Sequence, residues 1–196
     1  MHGLVNRFVE EFLRARYGEG VWREVAVACG VDAQGFHSWR AQPDAVTARL
    51  IARAARRVAV RPSDLAEDAG AWLAQVEAIR RLLRFGGRDY GEFLQSLDQL
   101  PGRAEMVVRG LGLPPLRVSE TWSDAFCITL PGGHRLWICA MAGILRQMAD
   151  DYGALALITT GPGHRIVVEV PERRFASGRS FALVAGGSGL AGEVAA

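Results

Sequence analysis

The sequence predicts an α+β fold: a helical N-terminal subdomain packed on a C-terminal subdomain with a roughly four-stranded antiparallel sheet and a long helix. Three observations predict it. Apolar residues recur at three- and four-residue spacing up to Gly110. Beyond Gly110-Leu111-Gly112 the pattern changes to short β-branched and aromatic runs bounded by turn residues. One long amphipathic stretch, Arg135 to Tyr152, interrupts those runs. With 49% of its 196 residues apolar, the chain can bury one substantial core. We assign 1–184 to a single domain, divided into a helical part, 1–110, and a mixed part, 111–184, followed by a flexible tail, 185–196.

The first helix runs from His2 to Tyr17, with Val5, Phe8, Val9, Phe12 and Leu13 on one stripe and Arg7, Glu10, Glu11 and Arg14 between them. Tyr17-Gly18-Glu19-Gly20 interrupts it, and Val21 to Cys29 forms a short second helix with Trp22 and Val25 inward, closed by Gly30. Residues 31–44 read as loop. Asp44 caps a third helix with Val46, Leu50, Ala54 and Val58 inside. Pro62 suits the first turn of a fourth, lined by Leu65, Ala69, Trp72, Leu73 and Val76, which bends or ends near Arg80 and Arg81.

Gly87 to Pro115 is the central stretch. Phe93, Leu94, Leu97 and Leu100 form a buried stripe that Ala104, Val107 and Val108 resume, which places Pro101 inward. A proline there has no N–H and its ring crowds the carbonyl four residues back, so the helix must kink or restart. Strands follow at Leu116 to Thr121 and Ala125 to Leu130, with a turn at Trp122-Ser123-Asp124. After the long helix come strands at Ala154 to Thr159 and Arg165 to Val170 around Gly161-Pro162-Gly163, and a last one at Ser180 to Val184.

Charge and motifs exclude several function classes. All 23 basic residues are arginine, set against 21 acids for a net charge of +2, which supplies no strong field for nucleic acid. No apolar run approaches the roughly 20 residues of a membrane span, and the early acids of MHGLVNRFVEE do not suit a secretory signal, so we expect a cytoplasmic protein without membrane insertion. Three widely spaced cysteines, Cys29, Cys127 and Cys139, argue against a disulfide framework or a zinc ribbon. There is no P-loop, GxSxG or HExxH motif, and we expect no enzyme activity. Gly187, Gly189 and Gly192 spell GxGxxG, but no following helix and strand complete a dinucleotide site.

The layout and its local motifs resemble the heme nitric-oxide/oxygen-binding (H-NOX) sensor family over nearly the whole chain. MHGLVNRFVEEFL and YGEGVWREV look like the family's opening helix and Tyr-Gly-x-x-x-Trp junction. GRDYGEFLQSLDQL looks like the segment leading to the proximal ligand, and LGLPPLRV like the Pro-Pro turn into the sheet. The resemblance implies a heme cofactor and a heme-based nitric-oxide sensor, a bacterial-type signal-transduction regulator read by a partner such as a histidine kinase or diguanylate cyclase.

The same resemblance locates the departures. Where the family has its iron-ligating histidine, this chain has Pro101, whose side chain offers no donor, so the usual axial ligation is lost. Of the propionate-holding Tyr-x-Ser-x-Arg motif only Arg135 remains, because Pro131 and Gly133 take the other two places. By the same matching, Val5 and Val9 cover the distal face, Leu97 and Leu100 flank the ligand position, Pro115 presses on the macrocycle, and Ala140 stands where some members have an oxygen-binding tyrosine. Substitute ligands would have to come from His2, His37, His134 or His164, with His134 and His2 nearest the pocket. Asp98, one helical turn before Pro101, reads as a solvated helix residue. Two alternatives accompany the heme reading: a cofactor-free protein-interaction module, and a sensor of another tetrapyrrole or of an apolar ligand.

Overall fold

The computed structural model describes residues 3–37, 43–121, 125–132 and 134–171. The expected strand at Ser180 to Val184, the 185–196 tail, the Trp122-Ser123-Asp124 turn, Gly133 and His2 lie outside the described residues.

Seven helices precede or interleave a four-stranded sheet among those residues: α1 (Gly3–Cys29), α2 (Asp44–Arg57), α3 (Pro62–Gln75), α4 (Glu77–Arg84), α5 (Tyr90–Gln95), α6 (Leu100–Val107), β1 (Arg117–Glu120), β2 (Ala125–Thr129), α7 (Arg135–Tyr152), β3 (Leu157–Gly161) and β4 (Arg165–Glu169). The interruption expected at Tyr17 to Gly20 is a kink at one residue. Gly18 takes φ 86° and ψ 166°, a conformation that costs a residue with a Cβ far more than glycine, and the chain re-enters the helix at once.

Four local expectations are corrected. Pro43 occupies the N-cap position of α2, and Asp44 is its first helical residue, a negative charge at the positive end of the helix. The α3 helix ends before Val76, whose extended backbone (φ −64°, ψ 119°) starts α4, so the break falls ahead of Arg80 and Arg81. In the central stretch the stripe stops at Ala104, because Met106 and Val107 face solvent. Glu10 is buried rather than solvated: it accepts the Phe36 N–H at 2.8 Å, and its carboxylate lies 3.1 Å from Arg14 and 3.4 Å from Arg7. Its position between apolar residues turns it toward the loop that returns along α1, and that loop supplies its partner.

The sheet has the order β1-β2-β4-β3 with every pair antiparallel, as the alternating runs predicted. Phe126 stands opposite Val168 and Ile128 opposite Ile166. This face packs with Leu145 and Met148 of α7 and with Phe93, Leu94 and Leu97 in one core. A second core joins α1, α2 and the start of α3 through Phe12, Leu13, Trp22, Leu50 and Leu65.

The two halves are joined mainly where α3 crosses α7. A Cβ built on Gly70 would lie 1.9 Å from the Ala140 carbonyl oxygen, and one on Gly143 would lie 1.9 Å from the Glu67 carbonyl oxygen. Only glycine lets these two backbones approach so closely. Arg146 of α7 braces the crossing, pairing with Glu67 and donating to the Ile158 carbonyl at 3.1 Å. Asp151 at the end of α7 pairs with Arg80 and Arg84 of α4, and the Arg84 guanidinium lies 4.1 Å from the centre of the Tyr152 ring. Among the described residues no helix is long and apolar enough to cross a membrane.

Candidate functional site

Beside the α3–α7 crossing the packing opens into a cleft between the helical and mixed halves. Its larger lobe has a volume of about 170 Å³. Phe8 and Val9 of α1, Leu73 of α3, Ile79 and Leu83 of α4, Leu100 and Ala104 of α6, and Met141 and Ile144 of α7 form its walls, and Leu111, Leu113, Pro114 and Leu116 close one side. A smaller lobe of about 90 Å³ reaches α2 at Thr47 and Ile51 and carries Asp44 and His134 on its lining. Val5, Val9, Ala69, Trp137 and Ala140 border both lobes.

The local chain explains these walls. The central stretch is divided into α5, a 3₁₀ turn at Ser96–Gln99, and α6 beginning at Leu100. Pro101 therefore sits in the first turn of α6, where a missing N–H leaves no hydrogen bond unmade. The restart turns Leu100 and Ala104 toward the cleft. Pro101 itself is half-buried and outside the lining, contrary to its expected inward position.

The sequence-selected residues are distributed unevenly. Val5, Val9, Leu100 and Ala140 meet at the cleft. Leu97 is fully buried in the core beneath it. Pro115 is exposed, and Pro114 lines the cleft in its place, beside Leu113 and Leu116. Arg135 is exposed at the start of α7 and lines neither lobe. His134 lines the smaller lobe, where its Nδ1 accepts the Leu136 N–H at 3.2 Å and so caps α7. His37 is exposed, His164 lies in the β3–β4 turn at φ 56°, and Asp98 is exposed. Gly70, a wall of the larger lobe, was not legible as a site residue; a glycine within a helical pattern reads first as a helix weakener.

The electrostatics are those of an uncharged chamber. Among the described residues no acidic or basic side chain lines the larger lobe. Burial pushes the Cys29 and Cys139 thiols up, away from the thiolate form that binds metals. All three cysteines are free, and no group of three His, Cys, Asp or Glu poised for a metal exists among the described residues.

A heme needs an iron ligand and partners for two carboxylates. Among the described residues Met141 alone carries a metal-competent atom in the larger lobe, His134 lies on the smaller one, and a thioether ordinarily serves iron beside a stronger imidazole ligand. No arginine among the described residues borders either lobe. The residues present do not fit the family's mode of holding heme.

A family model described as haem-NO-binding matches residues 2–158. No curated protein matches the sequence. Among solved structures, an H-NOX protein from S. oneidensis in the Fe(II)NO ligation state shares 16% identity at a TM-score of 0.72, over 87% of this chain and 99% of that one. A single-residue variant of the T. tengcongensis H-NOX shares 15% identity at 0.70, over 87% and 97%. A Cs H-NOX variant carrying 4-cyano-L-phenylalanine shares 15% at 0.71, over 87% and 96%. These likenesses carry the fold: a helical part, a four-stranded antiparallel sheet and a long helix in H-NOX arrangement.

Proposed function

Because this chain belongs to the haem-NO-binding family, we propose that it is a non-catalytic sensory and regulatory module whose cleft occupancy is read by a signalling partner in the cytoplasm. The observation that carries this reading is the apolar cleft bounded jointly by α1, α3, α7 and the 111–116 segment. A ligand held there touches both halves, so any difference in its affinity between two inter-half angles shifts their populations. The family's heme-based nitric-oxide chemistry is not the source of that difference here, since Pro101 has no donor atom and lies outside the cleft lining. The switch rests instead on side-chain packing against the occupant. A histidine kinase or a diguanylate cyclase is the kind of partner proposed, with no nucleic acid and no membrane insertion.

Two experiments test this. Titrating the purified chain with hemin is expected to give no saturable Soret band; a sharp band abolished by His134→Ala would return the chain to heme-based sensing through a relocated ligand. Assaying a histidine kinase or diguanylate cyclase that binds the chain is expected to show altered activity when the cleft is filled by Ala69→Leu. Unchanged activity across wild type and the filled variant would end the regulatory reading in favour of a cofactor-free interaction module.

A further inference from the structure

We propose that the occupant of the cleft is a small, neutral, metal-free apolar molecule of about the size of a single aromatic ring. The inference deepens the sensory reading above and rests on the same site.

Three observations lead to it. The first is size. An apolar cavity of about 150 Å³ takes up benzene or xenon, and the larger lobe of the cleft, at about 170 Å³, is close to it in volume. Pockets for drug-sized ligands begin at about 300 Å³. The second is chemistry. Leu73, Leu83, Leu100, Leu113, Met141 and Ile144 present hydrocarbon and thioether surface, and among the described residues the one side-chain hydrogen-bond donor on the lining is the Trp137 indole. A carboxylate or ammonium moved into that lobe would lose its hydration with no opposite charge to replace it. A neutral apolar molecule loses nothing and removes apolar surface from water.

The third observation is position. Gly70 and Ala140 belong both to the α3–α7 crossing and to the cleft wall. An occupant therefore presses on the contact that joins the halves, while α6 and the 111–116 segment form the opposite wall. This supplies what a sensor requires, contact with both bodies, without a bond to a metal.

Benzene is the probe, used on the full chain. At about 100 times its dissociation constant it is expected to raise the melting temperature by about 5–10 °C. Ala69→Leu and Ala104→Leu, which add bulk to the lobe from α3 and from α6, are each expected to abolish the shift while keeping a native far-ultraviolet spectrum. The pair guards against one variant failing to fold. Absence of a benzene shift in wild type, an equal shift in folded filled variants, or saturable hemin binding with a Soret band would each overturn the proposal. Hydrogen exchange separates it from the sensory reading. Benzene binding is expected to slow exchange in α6 and the 111–116 segment; binding that leaves both unchanged would overturn sensing while the ligand assignment stood.

Discussion

On one side of Gly70 and Ala140 the backbones of α3 and α7 are in direct contact, and on the other the packing opens into the larger lobe of the cleft, of about 170 Å³. The same small side chains produce both. Lacking a Cβ, Gly70 and Gly143 admit a neighbouring carbonyl, and Ala69, Ala104 and Ala140 leave beside it a volume that no larger residue fills. Smallness is thus no guide to whether a position is crowded or empty; the direction in which the missing atoms would have pointed decides it.

Adding atoms on each side of this divide tests the comparison. The largest effect is expected for Gly143→Ala, whose new methyl must displace the Glu67 carbonyl and part the two helices. A loss of about 3 kcal/mol or more is expected by urea denaturation, the upper part of the overpacking range. A loss below about 1 kcal/mol would mean that the crossing is not tight.

Next comes Glu10→Ala, which contrasts a tight region built from charge with one built from small residues. It leaves the part-buried Phe36 N–H without its acceptor and removes the carboxylate from between Arg7 and Arg14. About 2 kcal/mol of stability should go. Because Glu10 and the crossing are built from separate contacts, the double variant with Gly143→Ala should lose the sum within about 0.5 kcal/mol.

On the open side the sign reverses. Ala69→Leu is expected to stabilise the chain by about 1 kcal/mol, since it puts methyl groups into space already lined by apolar atoms. Destabilisation comparable to Gly143→Ala would show that the cleft is as closely packed as the crossing, and the comparison would fail.

How far these features could be read from the sequence follows from the kind of signal each leaves. The α7 helix was legible to its ends, Arg135 and Tyr152, because a long apolar period is bounded by turn residues. The four-stranded antiparallel sheet was legible from short runs bounded by turn residues, although β3 runs Leu157–Gly161 and not Ala154 to Thr159, and the Gly18 kink was legible from its glycines. The α3–α7 crossing was not, because a helical glycine has no pattern that separates a close contact from a plain weakness. Glu10 read as one of the charged residues between the apolar positions of α1, with Arg7 and Arg14 in reach on the same helix, and the Phe36 N–H that it also holds comes from 26 residues away. For the cleft, Val5, Val9, Leu100 and Ala140 were legible, whereas Pro114 lines it instead of Pro115, because a segment without regular secondary structure has no period from which its inward residues can be read.

The smallest expected effect concerns pH. Glu24, Asp64 and Glu92 are held below the usual carboxylate range, the first two chiefly by side-chain hydrogen bonds from Arg57 and Arg61, the third chiefly by the Arg88 backbone N–H and then by its guanidinium. A carboxylate whose folded-state value is depressed favours folding above its unfolded value, here 4.5 for Glu and 3.8 for Asp, and that contribution fades as pH falls through the lower folded value. The melting temperature should therefore hold steady above about pH 5 and begin a shallow decline below about pH 4.5. All three lie on solvated helix rims and none lines the larger lobe, on whose walls no acidic or basic group stands among the described residues. Benzene affinity should consequently stay level across the pH interval in which the melting temperature first declines, and Glu92→Gln should flatten that decline without touching affinity. A parallel fall in affinity would mean that a carboxylate on the rim reports on the cleft, and that the open and tight sides of the α3–α7 crossing are coupled through charge as well as packing.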